Sequence, residues 1–257
     1  MNSSDAQFLG VDVGGTHLKI GLVDKEGTIL DFQKEDTTQY RENPAGFGPC
    51  FVDVIGKYIS MYPQVGKVGI GLPGMITKDR MTPLEIPAIP DLNNFRLKAS
   101  LQEKYPDHEF YLENDAAAAA IGEFYFGKGE VAENFLFITM GTGIGSALVL
   151  DGMVFKGSWG NALEMGHMLS RGNAGLETLV GRNGILRIMA NLVAAYPEKA
   201  GSLVGKELGT HLLVDTAQAG NEVSLMVFKE VGEILSEAIV STIRVLDVTD
   251  VYFGGGI

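Results

Sequence analysis

The chain has 257 residues, 46% of them hydrophobic, one cysteine (Cys50) and a formal net charge of −12. That length and apolar share suffice for a substantial core in one or two domains, a lone cysteine excludes an internal disulfide, and the acidic balance argues against nucleic acid as a partner. No apolar run reaches the roughly 18 residues of a membrane span, and Met1-Asn2-Ser3-Ser4-Asp5 lacks the basic start and apolar stretch of a secretion signal, so a cytoplasmic location is expected.

Phe8 to Asp12 reads as a buried strand running into the turn Asp12-Val13-Gly14-Gly15-Thr16. Leu18 to Val23 resumes the extended pattern, and a turn at Asp24-Lys25-Glu26-Gly27 leads to Thr28 to Phe32, which completes a three-strand meander. Phe47, Phe51, Val52, Ile55 and Ile59 have helical spacing, whereas Val68 to Leu72 and Phe110 to Leu112 read as strands. Asn114-Asp115 ahead of the Ala116 to Ala120 run marks a helix start.

The opening grammar then returns: Phe135 to Met140, the turn Gly141-Thr142-Gly143-Ile144-Gly145, Ser146 to Leu150, a turn at Asp151-Gly152, and Met153 to Phe155. Leu176 to Ala195 and Ser224 to Leu246 are predicted to be helical, and Val251 to Phe253 forms a last strand before Gly254-Gly255-Gly256. Two related meanders predict two α/β lobes around a cleft, residues 1–117 and 118–257.

All three glycine turns follow strands, and glycine lets backbone N–H groups approach phosphate oxygens closely. A dinucleotide fingerprint is disfavoured, because Ser146 stands at its third glycine and a strand follows the turn. No G-x-x-x-x-G-K-[ST] segment occurs, which leaves a strand–turn–strand phosphate clamp. Neither Cys50 nor the four histidines form a zinc spacing.

Taken together, these segments resemble the actin-like ATPase and sugar-kinase superfamily, and within it the ROK family of repressors and sugar kinases. Asp12-Val13-Gly14-Gly15-Thr16 resembles the first phosphate motif, Gly141 to Gly145 the second and Gly254-Gly255-Gly256 the adenosine motif. Glu113-Asn114-Asp115-Ala116 resembles the family's E-N-D-A core, Glu164-Met165-Gly166-His167 its E-x-G-H motif, and Leu176-Glu177 the end of its G-C-L-E segment. The resemblance implies two ribonuclease-H-like lobes with mixed sheets and flanking helices, and ATP-dependent phosphorylation of a hexose hydroxyl in a glucokinase-like reaction.

On that reading Asp115 is the general base; Asn114, Asp115, Glu164, His167 and Glu177 bind the sugar. Gly14, Gly15, Thr16, Gly141, Thr142, Gly143, Gly254, Gly255 and Gly256 bind the nucleotide, and Asp12 holds Mg²⁺ directly or through water. Each residue has a plainer reading as well. Asp115 suits a helix N-cap and Asp12 a turn-forming aspartate, while Thr16 suits a turn hydroxyl. Glu164 and His167 suit a surface pair or one half of an E-x-x-H metal site, and Glu177 a solvated carboxylate at a helix start. Lys19 lies past the first turn and stays outside the core site.

Three departures from relatives bear on function. Met168 to Ala174 contains no cysteine, so the structural zinc of many relatives is not expected, and polyphosphate becomes an alternative phosphoryl donor. In Leu84-Glu85-Ile86-Pro87-Ala88-Ile89-Pro90, Glu85 and Ala88 replace asparagines that sugar-binding relatives carry, which leaves the sugar open. Relatives continue beyond Gly-Gly-Gly with helices over the adenine side, so the second lobe is expected to be truncated after its adenosine motif. A sugar-sensing repressor and a catalytically weak sugar-binding protein are the alternative functions. The repressor is disfavoured, because only seven residues precede Phe8 where such relatives carry a DNA-binding segment. A homodimer is the implied assembly.

Overall fold

The computed structural model describes residues 6–257; the segment read for a secretion signal, residues 1–5, lies outside the described residues. Its elements run β1 (Gln7–Val13), β2 (His17–Asp24), β3 (Ile29–Asp36), α1 (Thr38–Arg41), α2 (Phe47–Met61), β4 (Lys67–Leu72), β5 (Met75–Ile76), β6 (Pro83–Glu85), α3 (Leu97–Lys104), β7 (Glu109–Asn114) and α4 (Asp115–Phe126). Then come β8 (Phe135–Met140), β9 (Ile144–Leu150), β10 (Met153–Val154), α5 (Leu176–Val180), α6 (Arg182–Ala195), α7 (Pro197–Ala200), α8 (Thr210–Gln218), α9 (Glu222–Leu246) and β11 (Asp250–Gly255). The chain forms two compact units. One runs to Glu133 and is rejoined by Gly152–Ala162; the other comprises Asn134–Asp151 and Leu163–Ile257. The division expected after residue 117 falls inside α4, whose buried Ala116, Ala117 and Ala120 let the whole helix lie against β4 and β7 of the first unit.

In the first unit the sheet order is β3-β2-β1-β4-β7. The expected meander β1-β2-β3 is antiparallel, whereas β1, β4 and β7 run parallel. Alternation explains the strands: Leu9, Val11 and Val13 of β1 and Leu18, Ile20 and Leu22 of β2 are buried. On α2, Phe47, Phe51, Ile55 and Tyr58 recur at helical spacing and are buried against this sheet's core, the Phe47 and Phe51 rings 5.6 Å apart. Asp12 pairs with Gly71 and Leu72 with Asn114, so the carboxyl ends of β1, β4 and β7 share one edge. In open α/β sheets that edge is where ligands bind.

In the second unit β9 and β11 flank β8, antiparallel and parallel respectively. The core joins Leu136, Ile138 and Leu148 to Val180, Ile185 and Met189, and to Val223 and Val227 of α9. The helix expected from Leu176 to Ala195 is two, because Gly181 takes extended backbone (φ −68°, ψ 172°) between α5 and α6. The site also leaves little room for a side chain: a Cβ at Gly181 would stand 2.7 Å from the Glu177 carbonyl oxygen and 3.1 Å from that of Thr142. α9 begins two residues earlier than expected, where Asn221 Oδ1 accepts from Ser224 N at 3.0 Å.

Candidate active site

Between β1 and β2 the chain turns through Gly14, Gly15 and Thr16, and the Gly14 N–H closes the turn onto the His17 carbonyl at 3.0 Å. Three successive carbonyls are held from one direction. Thr37 Oγ1 donates to Gly14 O (2.8 Å), Arg41 Nη1 to Gly15 O (3.1 Å) and Thr37 N to Thr16 O (2.9 Å). Nothing local marks Thr37 and Arg41: they reach the turn from the two ends of the short helix α1. A Cβ on Gly15 would stand 2.9 Å from Cβ of Ala88, so one of the positions that departs from relatives packs against this turn.

Asp12 Oδ2 lies 2.8 Å from Lys19 Nζ. The two residues face one another in the β1–β2 register, which is why Lys19, set outside the site on sequence grounds, meets the proposed metal carboxylate. Both side chains are about half exposed, and such pairs contribute at most about 1 kcal/mol, little resistance to a competing cation.

At the end of β7, Asn114 Oδ1 accepts from Ala117 N (3.0 Å) and Asn114 Nδ2 donates to Gly74 O (3.2 Å). Asn114 is therefore the N-cap of α4, and the capping role weighed for Asp115 falls to its neighbour. Asp115 is the first helical residue, its Oδ1 accepting from Ala116 N at 2.8 Å, where the positive end of the helix favours an ionised carboxylate. Glu113 lies directly beneath. Its Oε1 accepts from Asn114 N (3.0 Å) and Arg80 Nη2 (2.8 Å), and its Oε2 from Lys156 Nζ (2.9 Å). Arg80, in a left-handed turn at φ 58°, is buried, and its Nε and Nη1 have no hydrogen-bond partner. Arg80 and Lys156 are distant in sequence from the E-N-D-A segment, and only the fold brings them to it.

In the second unit the turn after β8 is closed by Gly141 N donating to Gly143 O (2.9 Å), and Arg182 N at the start of α6 donates to Gly141 O (3.2 Å). Glu177, expected as a sugar ligand, places Oε2 2.9 Å from Ile144 N and so braces this turn. The approach is close enough to require glycine at 143, where a Cβ would lie 2.1 Å from that oxygen. Glu164 leads into a short 3-10 turn, Met165–His167, rather than a helix face, with His167 N donating to Glu164 O at 3.0 Å. Burial pushes the Glu164 carboxyl above the ordinary glutamate range; His167 pulls it back and the negative charge of Glu177 pushes it further up.

β11 brings Gly254 and Gly255 beside Thr139 and Met140 of β8. Gly255 has φ 114° and leaves no room for a side chain, since a Cβ would stand 2.0 Å from the Met140 carbonyl oxygen, to which Gly256 N also donates at 3.0 Å. Gly254 and Gly255, expected as a turn after the last strand, are therefore the end of β11 itself and lie beside the end of β8, from which the second glycine turn leaves. A Cβ on Gly141 would meet nothing within 4 Å.

Among the described residues no group of three or more His, Cys, Asp or Glu side chains could hold a metal ion. The exposed Asp12 carboxylate suits a different arrangement, in which Mg²⁺ takes one protein carboxylate and completes its shell with phosphate oxygens and water. No helix among the described residues is long and apolar enough to cross a membrane.

The ROK family model matches residues 8–257. A glucokinase from Thermotoga maritima is 32% identical over 98% of this chain and 82% of its own length. The relatives also include a xylose repressor from Caldicellulosiruptor bescii, 26% identical over 99% of this chain and 67% of its own. A crystal structure from Cytophaga hutchinsonii, described provisionally as a sugar kinase, superposes with a TM-score of 0.91 at 36% identity, over 98% of this chain and 84% of that one. A ROK family glucokinase from Streptomyces griseus, solved with glucose and AMPPNP, superposes with a TM-score of 0.80 at 28% identity, over 98% and 83%. With the family model matched across both units and the fold shared with sugar kinases of the actin-like type, the chain belongs to the ROK family.

Proposed function

We propose that this protein transfers the terminal phosphoryl group of ATP to a hydroxyl of a hexose, with Asp115 as general base. The observation that carries the reading is the edge shared by the carboxyl ends of β1, β4 and β7, from which both the first glycine turn and the capped start of α4 leave.

Asp115 accepts the hydroxyl proton as the sugar oxygen attacks phosphorus. It stands in the first turn of α4, and Asn114, bonded on both sides, fixes the backbone from which it projects. Glu164, His167 and Glu177 orient the sugar through its hydroxyls. In the turn at Gly14, Gly15 and Thr16 the Gly14 amide closes the turn, and the amides of Gly15 and Thr16 take phosphate while Thr37 and Arg41 hold the carbonyls. The turn at Gly141 to Gly143 takes phosphate and Gly254 to Gly256 takes adenosine. Asp12 would hold Mg²⁺, which supplies charge neutralisation between the phosphates when bound.

A coupled ADP-release assay across glucose, mannose, fructose and N-acetylated hexosamines, repeated with polyphosphate as donor, tests the proposal. Saturable ADP release that depends on one of these sugars is the expected result; nucleotide binding without phosphorylation of any sugar, from either donor, contradicts it. The repressor among the relatives favours a second reading, sugar-responsive regulation. A fluorescence titration with double-stranded DNA separates the two, tight binding released by sugar being the regulatory outcome.

A further inference from the structure

Trp159, the only tryptophan of the chain, is 84% exposed. It lies in Gly152–Ala162, the segment that rejoins the first unit. A large indole left almost wholly in water is unremarkable by itself. Here, however, the backbone on both sides of it is tied down. Three residues before it, Lys156 pairs with Glu113, the residue preceding Asn114-Asp115. Two residues after it, Asn161 Oδ1 accepts from Ile76 N at 3.0 Å, and Gly74 on the same short segment accepts from Asn114 Nδ2.

The tethers therefore lead back to Glu113 and Asn114, the two residues that precede the proposed base. Between them, Gly157 and Gly160 take left-handed backbone (φ 65° and 92°), and a Cβ on Gly160 would lie 2.8 Å from Cα of Lys78 in the turn between β5 and β6. The tip is thus pressed onto the hairpin that also supplies Arg80 to Glu113. Consecutive Cα atoms are about 3.8 Å apart, so a residue two or three steps from such anchors has a short reach.

We infer that Trp159 is a specificity-determining residue of the sugar site, offering its indole face to the apolar C–H face of a hexose held at Asn114 and Asp115. An indole has an apolar body and one polar N–H, and a pyranose has an apolar face and a hydroxyl rim, so the two surfaces match. The tethers fix the backbone that carries the ring before binding, which lowers the ordering cost of the loop. The inference rests on the sugar-kinase reading above and adds the residue that meets the sugar's apolar face.

The sole tryptophan makes the test direct. Wild-type protein is titrated with the same hexoses while indole emission is followed, and calorimetry gives the affinity independently. Saturable emission change at the calorimetric Kd is expected. Trp159→Ala should raise KM for the sugar roughly tenfold with kcat within about threefold, whereas Trp159→Phe, which keeps an aromatic face, should stay within about threefold of wild type. Sugar binding without an emission change, or an unchanged KM in Trp159→Ala, overturns the role of Trp159 while leaving phosphorylation by the wild type to stand. Absence of both binding and phosphorylation across the panel overturns Trp159 and the kinase reading together.

Discussion

Gly143→Ala probes how the second turn is built. The added methyl would stand 2.1 Å from Glu177 Oε2 and 2.7 Å from its carboxyl carbon, a distance no pair of atoms tolerates. The obstacle is the end of a flexible side chain rather than backbone, so Glu177 swings away and the cost is the bond it leaves. Ile144 N then loses its 2.9 Å acceptor. Because Ile144 is buried, water replaces that acceptor poorly, and an unsatisfied buried donor costs about 1–3 kcal/mol. Glu177→Ala removes the same bond without the clash and should cost a similar amount. The two losses are one loss, so the double variant should lie within about 0.5 kcal/mol of Glu177→Ala instead of at the sum of the singles. Urea unfolding of the four proteins measures this. A Gly143→Ala protein as stable as wild type, or costs that add, refutes the bracing role of Glu177.

Asn114→Ala loses the cap to Ala117 N and the bond to Gly74 O, and should cost about 2 kcal/mol in urea unfolding; Asn114→Asp, which keeps the capping oxygen, should cost less. Lys19→Met removes the competitor for Asp12, so the Mg²⁺ concentration giving half-maximal rate should fall while stability changes by less than about 1 kcal/mol; an increased Mg²⁺ requirement contradicts that role. Glu164 binds its proton more tightly in the folded protein than in the unfolded chain, so its contribution to stability is fully present below the ordinary glutamate range and is lost as pH rises through the elevated folded value. Glu164→Gln should therefore gain stability relative to wild type between about pH 4 and pH 7, and a difference that stays flat over that range rules the elevated value out.

Where periodicity is strong, the sequence and the fold agree. Both meanders, α2 and α9 follow from alternation and from helical spacing, and the first two glycine turns follow strand ends as expected, whereas Gly254 and Gly255, expected to follow the last strand, belong to β11 itself. Disagreement begins where distant parts pack. Leu176 to Ala195 has one apolar pattern, yet the backbone is extended at Gly181, a poor helix former that the apolar pattern runs across, and the chain there lies close to the turn at Thr142. Asp115 and Asn114 are both good capping residues, and only the backbone assigns the cap to Asn114. Thr37 and Arg41 on the first turn, and Arg80 and Lys156 on Glu113, were illegible for the same reason. Their types are ordinary and their meaning comes from topology.

Asp115→Asn tests the central claim most directly. The amide keeps the shape and the oxygen that accepts from Ala116 N, so fold and sugar binding are retained while the capacity to take a proton is lost. With saturating sugar and ATP, kcat for ADP release should fall by roughly 10²–10⁴, with the sugar Kd from calorimetry within about threefold of wild type. A variant that keeps kcat within tenfold of wild type would show that another group removes the proton, and Asp115 would not be the general base.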